Sequence, residues 1–235
     1  MTKKKEITIL ISLVVLLVIL NYNFLDSKVE SFFLGDQSEK TVVERIIDGD
    51  TIVTEIGNVR LLGINTPERG ERGFLEAKVF LENLILNKSV VLEYVGPRED
   101  KYGRILAYVF LEGGNINLKL VENGFGNYYF YDGRDIYSED LEEAWNSCIS
   151  KEINLCGPSD HECSKCISIE GEKIVNQCGF SCNIEAWEVK EEGRDKFVFE
   201  GSLEPNGKRE FELEQDNKDG LVFLRDGEGG LVVYV

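Results

Sequence analysis

Three short segments in the first half of the chain carry residue types suited to metal and phosphate chemistry. They are Asp48-Gly49-Asp50-Thr51, Arg60-Leu61-Leu62-Gly63-Ile64-Asn65-Thr66-Pro67-Glu68 and Asp100-Lys101-Tyr102-Gly103-Arg104. An Asp-Gly pair between β-branched residues is what a tight hairpin requires, and two carboxylates one residue apart are also half of a site for a hard cation. Two arginines offer rigid forks that grip phosphate oxygens bidentately and never lose their charge. A glutamate within reach of a water can take its proton. Each segment also has a plain structural use, as a turn, a loop start and a polar corner.

The pattern around these segments indicates what must position them. From Val42 the residues VVERII, TIVTEI and VRLLGI read as strands separated by Asp-Gly and Gly-Asn turns. Phe74, Ala77, Leu81, Leu84 and Ile85 then recur at helical spacing. Strands return at 89–95 and 105–111, a short helix over 117–122 ends at Asn123-Gly124, and Leu141, Ala144, Trp145, Cys148 and Ile149 form a second apolar stripe. Strands with helical covers in this order describe a mainly β protein with helices (α+β), built on an OB-fold barrel.

In order and spacing, the three segments, the helix between them and the following Gly124…Tyr129-Phe130-Tyr131 resemble the thermonuclease (staphylococcal-nuclease-like) family from about Val42 to Trp145. The resemblance implies hydrolysis of DNA and RNA phosphodiesters with one Ca²⁺. It implies Asp50 as a calcium ligand with Asp48 close behind it, and Asn65 and the main-chain carbonyl of Thr66 as further ligands. It makes Arg60 and Arg104 the phosphate clamps and Glu68 the general base. Lys101 and Tyr102 match positions near a terminal phosphate, and Tyr129 and Tyr131 match tyrosines that pack on the nucleotide. One departure stands out: the best-known members carry aspartate where this chain has Asn65. An amide oxygen still ligates calcium but brings no charge, so weaker calcium binding is expected.

The whole chain sets bounds on these readings. A net charge of -17 over 235 residues repels nucleic acid at long range, so a cation and local arginines must offset it. His161 is the only histidine, which removes Ser-His and His-metal hydrolytic schemes. Lys3-Lys4-Lys5 before the apolar run Ile7 to Leu20 predicts a signal anchor or signal peptide over 1–25, followed by a tether over 26–41. That reading makes the membrane a partner through an N-terminal transmembrane helix. The chain is then single-pass with its N-terminus inside and its domains outside, or secreted if the segment is cleaved.

All six cysteines (Cys148, Cys156, Cys163, Cys166, Cys178 and Cys182) lie in the second half. In an exported chain they read as a disulfide framework whose pairing the sequence leaves open, with a zinc site at Cys163, Cys166, Cys178 and Cys182 as the competing reading. Residues 42–156 form the expected barrel domain and 157–235 a second domain. That second part holds 9 basic and 18 acidic side chains, and its short strands suggest a small β-sandwich. Ile184-x-x-Trp187, Phe197-x-Phe199, Leu203-x-Pro205-x-Gly207 and Leu221-Val222-Phe223-Leu224 resemble a lamin-tail domain, which implies an immunoglobulin-like sandwich that binds or scaffolds a ligand the sequence does not identify. The expectation is therefore a monomeric, extracytoplasmic, Ca²⁺-dependent nuclease. The alternatives are an inactive nucleic-acid-binding protein and a surface adhesion protein on the same scaffold.

Overall fold

The computed structural model describes residues 38–131, 133–191, 196–213 and 221–235. Among the described residues, eight strands and three helices make up the first part: β1 (Ser38–Ile46), β2 (Thr51–Thr54), β3 (Gly57–Leu61), β4 (Ile64–Asn65), α1 (Phe74–Ile85), β5 (Ser89–Glu93), β6 (Ile105–Leu111), β7 (Gly114–Asn115), α2 (Ile116–Glu122), β8 (Asn127–Tyr128) and α3 (Ser138–Lys151). The strand order β3-β2-β1-β5-β6-β7 closes on itself because β3 also pairs with β6 in parallel, Arg60 lying opposite Leu106. This is an OB-fold-like closed barrel, and closure leaves its principal strands without open edges. Val43, Ile52, Val59, Leu61, Leu92 and Val109 fill its interior.

The helices are those the apolar spacing predicts, with differences at their ends. In α1, Ala77, Leu81 and Ile85 face the core. In α2, the Asn115 side chain caps the first turn by accepting from Leu118 N, one residue earlier than the sequence suggests. Ser138 would cap α3 by type, but its hydroxyl instead accepts from Asp135 N at 2.7 Å and the residue enters the helix. Leu141, Trp145 and Cys148 of α3 are buried, and the Trp145 ring meets Phe223 edge-on at 5.4 Å between centroids.

Residues 157–235 contain β9 (Ile167–Ile169), β10 (Lys173–Asn176), β11 (Cys182–Asn183), β12 (Glu188–Glu191), β13 (Lys196–Val198), β14 (Ser202–Leu203), β15 (Lys208–Glu210), β16 (Val222–Arg225) and β17 (Leu231–Tyr234). A four-stranded sheet β13-β12-β16-β17 and a three-stranded sheet β15-β10-β9 share one core around Trp187, Ile174, Val189, Phe199 and Leu224. Phe223 and Leu231 leave that core and join the barrel's, so Lys40–Val235 form one compact unit.

The cysteines are all paired: Cys148–Cys156, Cys163–Cys182 and Cys166–Cys178. The sulfurs of Cys163, Cys178 and Cys182 do lie within 4.8 Å of one another, as the zinc reading requires. Paired sulfurs carry no thiolate to offer a metal, so disulfides replace zinc here.

The expected transmembrane helix is corrected. Among the described residues no helix is long and apolar enough to cross a membrane. The longest of them, α3, has 14 residues and spans about 21 Å, against the ~30 Å of a bilayer core. Residues 1–25, on which the expectation was placed, lie outside the described residues. The transmembrane helix, the membrane as a partner and the single-pass localisation are withdrawn with it.

Candidate functional site

The turn between β1 and β2 is where the chemistry begins. Ile47 N and Asp48 N donate to Thr51 O at 2.9 and 3.4 Å, folding Asp48-Gly49-Asp50 into a tight corner. The glycine is required by space, not by a left-handed φ. A Cβ at Gly49 would lie 2.7 Å from Thr66 Oγ1 and 2.8 Å from Ala77 Cβ. The corner is thus pressed against the β4–α1 loop and the α1 helix, and the missing side chain is what lets them meet.

That contact brings Asp50 to Thr66. One Asp50 oxygen accepts from Thr66 N and Thr66 Oγ1, both at 2.9 Å. The other accepts from Thr51 Oγ1 at 3.1 Å and pairs with Arg60 Nη1 at 2.8 Å. From β3, the Arg60 fork reaches further: Nη2 donates to Ile64 O at 2.9 Å and to Asn65 Oδ1 at 3.3 Å. A single guanidinium therefore spans Asp50 and Asn65. Asp50, Asn65 and Thr66 are all buried, which makes this pairing stronger than one in open water. The Asp48 carboxylate accepts from Asp50 N at 3.1 Å. Burial and the adjacent Asp50 charge raise its carboxyl above the usual range, against the Asp50 N–H, the Thr51 hydroxyl and Arg60.

The remaining predicted residues sit around this cluster. The parallel pairing of β3 with β6 lays the start of β6, and Arg104 just before it, beside the strand that carries Arg60. Arg104 is held by Asp100: its Nε and Nη2 both lie 2.7 Å from Asp100 Oδ2. Burial would raise the Asp100 carboxyl, but the Arg104 and Tyr102 N–H groups and the Arg104 charge outweigh it and hold it low. Arg104 and Lys101 both lie near the Tyr102 ring, at 5.6 and 5.2 Å from its centroid. Tyr102 is 65% exposed and Tyr131 63%, which suits rings on which a base can stack. Tyr129 is half-buried, tied through its N–H to Gly63 O at 2.9 Å and tilted against Tyr131 at 6.1 Å. Glu68 is exposed on the loop beyond Thr66, and its N–H donates to Glu71 Oε2 at 2.9 Å.

Several contributors were not visible as site residues. Asp100 anchors Arg104, and Glu71 shapes the Glu68 loop; neither carries a signal beyond its proximity in sequence. Asn117 is fully buried on α2, where it donates to Leu62 O at 2.7 Å and accepts from Val109 N at 3.0 Å. It ties the chain leaving β3 to the barrel wall. An asparagine inside an apolar helical stripe was the one available hint.

Donor chemistry at Asp50, Asn65 and Thr66 suits a hard cation, since carboxylate, amide and carbonyl oxygens are its preferred ligands. Such an ion would share the lone pairs that Arg60 now uses.

Comparison with known proteins finds similarity to nucleases. The family model described as staphylococcal nuclease homologue matches residues 58–155. The thermonuclease of Staphylococcus intermedius is 32% identical over 164 residues, covering 65% of this chain and 98% of that protein. The thermonuclease of Staphylococcus hyicus is 34% identical over 154 residues, 60% of this chain and 91% of the relative. An SPbeta prophage-derived endonuclease of Bacillus subtilis is 31% identical over 125 residues, 48% of this chain and 42% of the relative.

Proposed function

Since the chain belongs to the staphylococcal nuclease homologue family and is a phosphodiesterase-type hydrolase, we propose that it is an extracytoplasmic, Ca²⁺-dependent nuclease acting on DNA or RNA. The observation that carries the finer reading is the single hydrogen-bonded cluster of Asp50, Arg60, Asn65 and Thr66. Three disulfides support an oxidising compartment. In this reading residues 42–156 are the catalytic domain and 157–235 a lamin-tail-like binding domain.

Asp50, the Asn65 side chain and the Thr66 carbonyl would hold the cation, with Asp48 adding charge nearby. When bound, Ca²⁺ supplies neutralisation of a non-bridging phosphate oxygen. Arg60 and Arg104 then grip the phosphate and stabilise the extra charge of the crowded transition state. Glu68 accepts the proton of the attacking water. Tyr102, Tyr129, Tyr131 and Lys101 hold the flanking nucleotides. Arg60 Nη1 pairs with Asp50 and Nη2 donates to Asn65, so a cation held by those two residues would lie beside the guanidinium that is proposed to grip the phosphate.

The test is cleavage of single-stranded DNA across a Ca²⁺ titration. Activity that chelator abolishes, and that Arg60→Ala or Glu68→Gln lowers by about 10²-fold or more, is the expected result. Full activity in chelator would overturn the calcium reading. Binding without cleavage would support the inactive alternative, for which Asn65 is the specific motive.

A further inference from the structure

The loop between β4 and α1 carries Glu68, and its shape is fixed by Glu71. Glu71 N donates to Glu68 O at 2.9 Å, and Glu68 N donates back to Glu71 Oε2 at 2.9 Å. That same carboxylate oxygen receives Lys190 Nζ at 2.7 Å, from β12 of the C-terminal sheet. Lys196 Nζ, on β13, lies 3.6 Å from the other oxygen. The next loop residue is gripped as well. Gly229, in the β16–β17 turn at φ +84°, lies against the Arg72 side chain: a Cβ there would be 2.7 Å from Arg72 Cδ. Between these contacts runs a cleft of about 230 Å³ lined by Asn65, Thr66, Glu71, Arg72, Lys190 and Arg225.

We infer that the C-terminal sheets brace the catalytic loop, with Lys190 acting through Glu71 as a positioning residue for Glu68. The inference rests on the reading of Glu68 as general base. An ordinary exposed ion pair contributes little, but this one is largely shielded, its side chains 17% and 20% exposed. One Glu71 oxygen accepts from both the lysine and the Glu68 amide, so the charge that holds it sets the direction in which it meets that amide. Burial would raise the Glu71 carboxyl, but the Lys190 hydrogen bond, the Glu68 N–H and the charges of Lys190 and Lys196 outweigh burial and keep it ionised. Without Lys190 the oxygen that meets the Glu68 amide loses its charged partner, the longer Lys196 contact draws on the other oxygen instead, and the Glu68 turn loosens. A displacement of about 1 Å in a reacting group is enough to cost on the order of 10²-fold in rate.

The experiment uses the full chain with saturating Ca²⁺ and single-stranded DNA, comparing Lys190→Ala, Lys190→Arg, Glu68→Gln and the Lys190→Ala/Glu68→Gln double variant. Lys190→Ala is expected to lower kcat ~10- to 100-fold with KM within about twofold, and to speed amide exchange at Glu68. Lys190→Arg, which keeps the charge, should restore most of both. In the Glu68→Gln background the lysine should matter no further. Unchanged amide exchange in Lys190→Ala overturns the brace whatever Glu68 does, and so does an undiminished kcat effect in the double variant. Full kcat in Glu68→Gln alone overturns the general-base reading instead, and faster exchange in Lys190→Ala would still support the brace.

Discussion

At Asp50, four donors share two carboxylate oxygens, and one of them is a charged guanidinium 2.8 Å away. In the proposed site a cation at Asp50 would compete with Arg60 for the same carboxylate oxygen. Arg60→Ala should therefore bind Ca²⁺ more tightly, because a competing positive charge is gone, while losing turnover. Calorimetry beside the nuclease assay separates the two effects; weaker calcium binding in Arg60→Ala would refute the competition. Asn65→Asp adds a formal charge to the ligand set and should tighten the calcium requirement by roughly tenfold. If the calcium midpoint does not move, Asn65 is no ligand. These residue types were readable from the sequence. That Arg60 bridges Asp50 and Asn65 was not, because it depends on how β3 lies against the β4 turn.

Among elements, the β1–β2 corner shows the difference between a motif and its reason. Asp-Gly was expected for its backbone freedom, yet Gly49 is there because Thr66 and Ala77 leave no room for a Cβ. Gly49→Ala should destabilise by about 1–3 kcal/mol, read as a lower melting temperature, and should also weaken calcium binding by parting Asp50 from Thr66. Asn117→Ala leaves Leu62 O and Val109 N without a buried partner, a loss of ~1–3 kcal/mol checked by denaturant unfolding. Helix and strand periods placed α1 over Phe74–Ile85 and β6 over Ile105–Leu111 because apolar spacing reports one-sided burial. The Ser138 cap failed for a local reason: Asp135 N reached its hydroxyl first.

For the molecule as a whole, two ion pairs hold segments of the proposed site, Asp100–Arg104 within one loop and Glu71–Lys190 between the β4–α1 loop and β12. Both carboxyls are held below their ordinary values in the folded state. Their contributions are therefore present above the unfolded pKa, about 4 to 4.5, and are lost as pH falls through the folded values. Stability should decline below about pH 4, with exchange at the Glu68 loop rising in the same window; a melting temperature flat from pH 6 to 3 would contradict this. Reducing the three disulfides should lower the melting temperature, each native bridge contributing about 2–5 kcal/mol.

The sequence by itself determined the strand and helix pattern, the residue types of the site and the spacing that resembles a nuclease, since each is a local or near-local property. It left open the cysteine pairing, and the apolar N-terminal run suggested a membrane helix that no described helix supports. Tertiary structure alone decided that Lys190 reaches Glu71 across 119 positions and that Phe223 and Leu231 join the barrel core. Such contacts arise where separate elements meet, and no periodicity in either element encodes its partner.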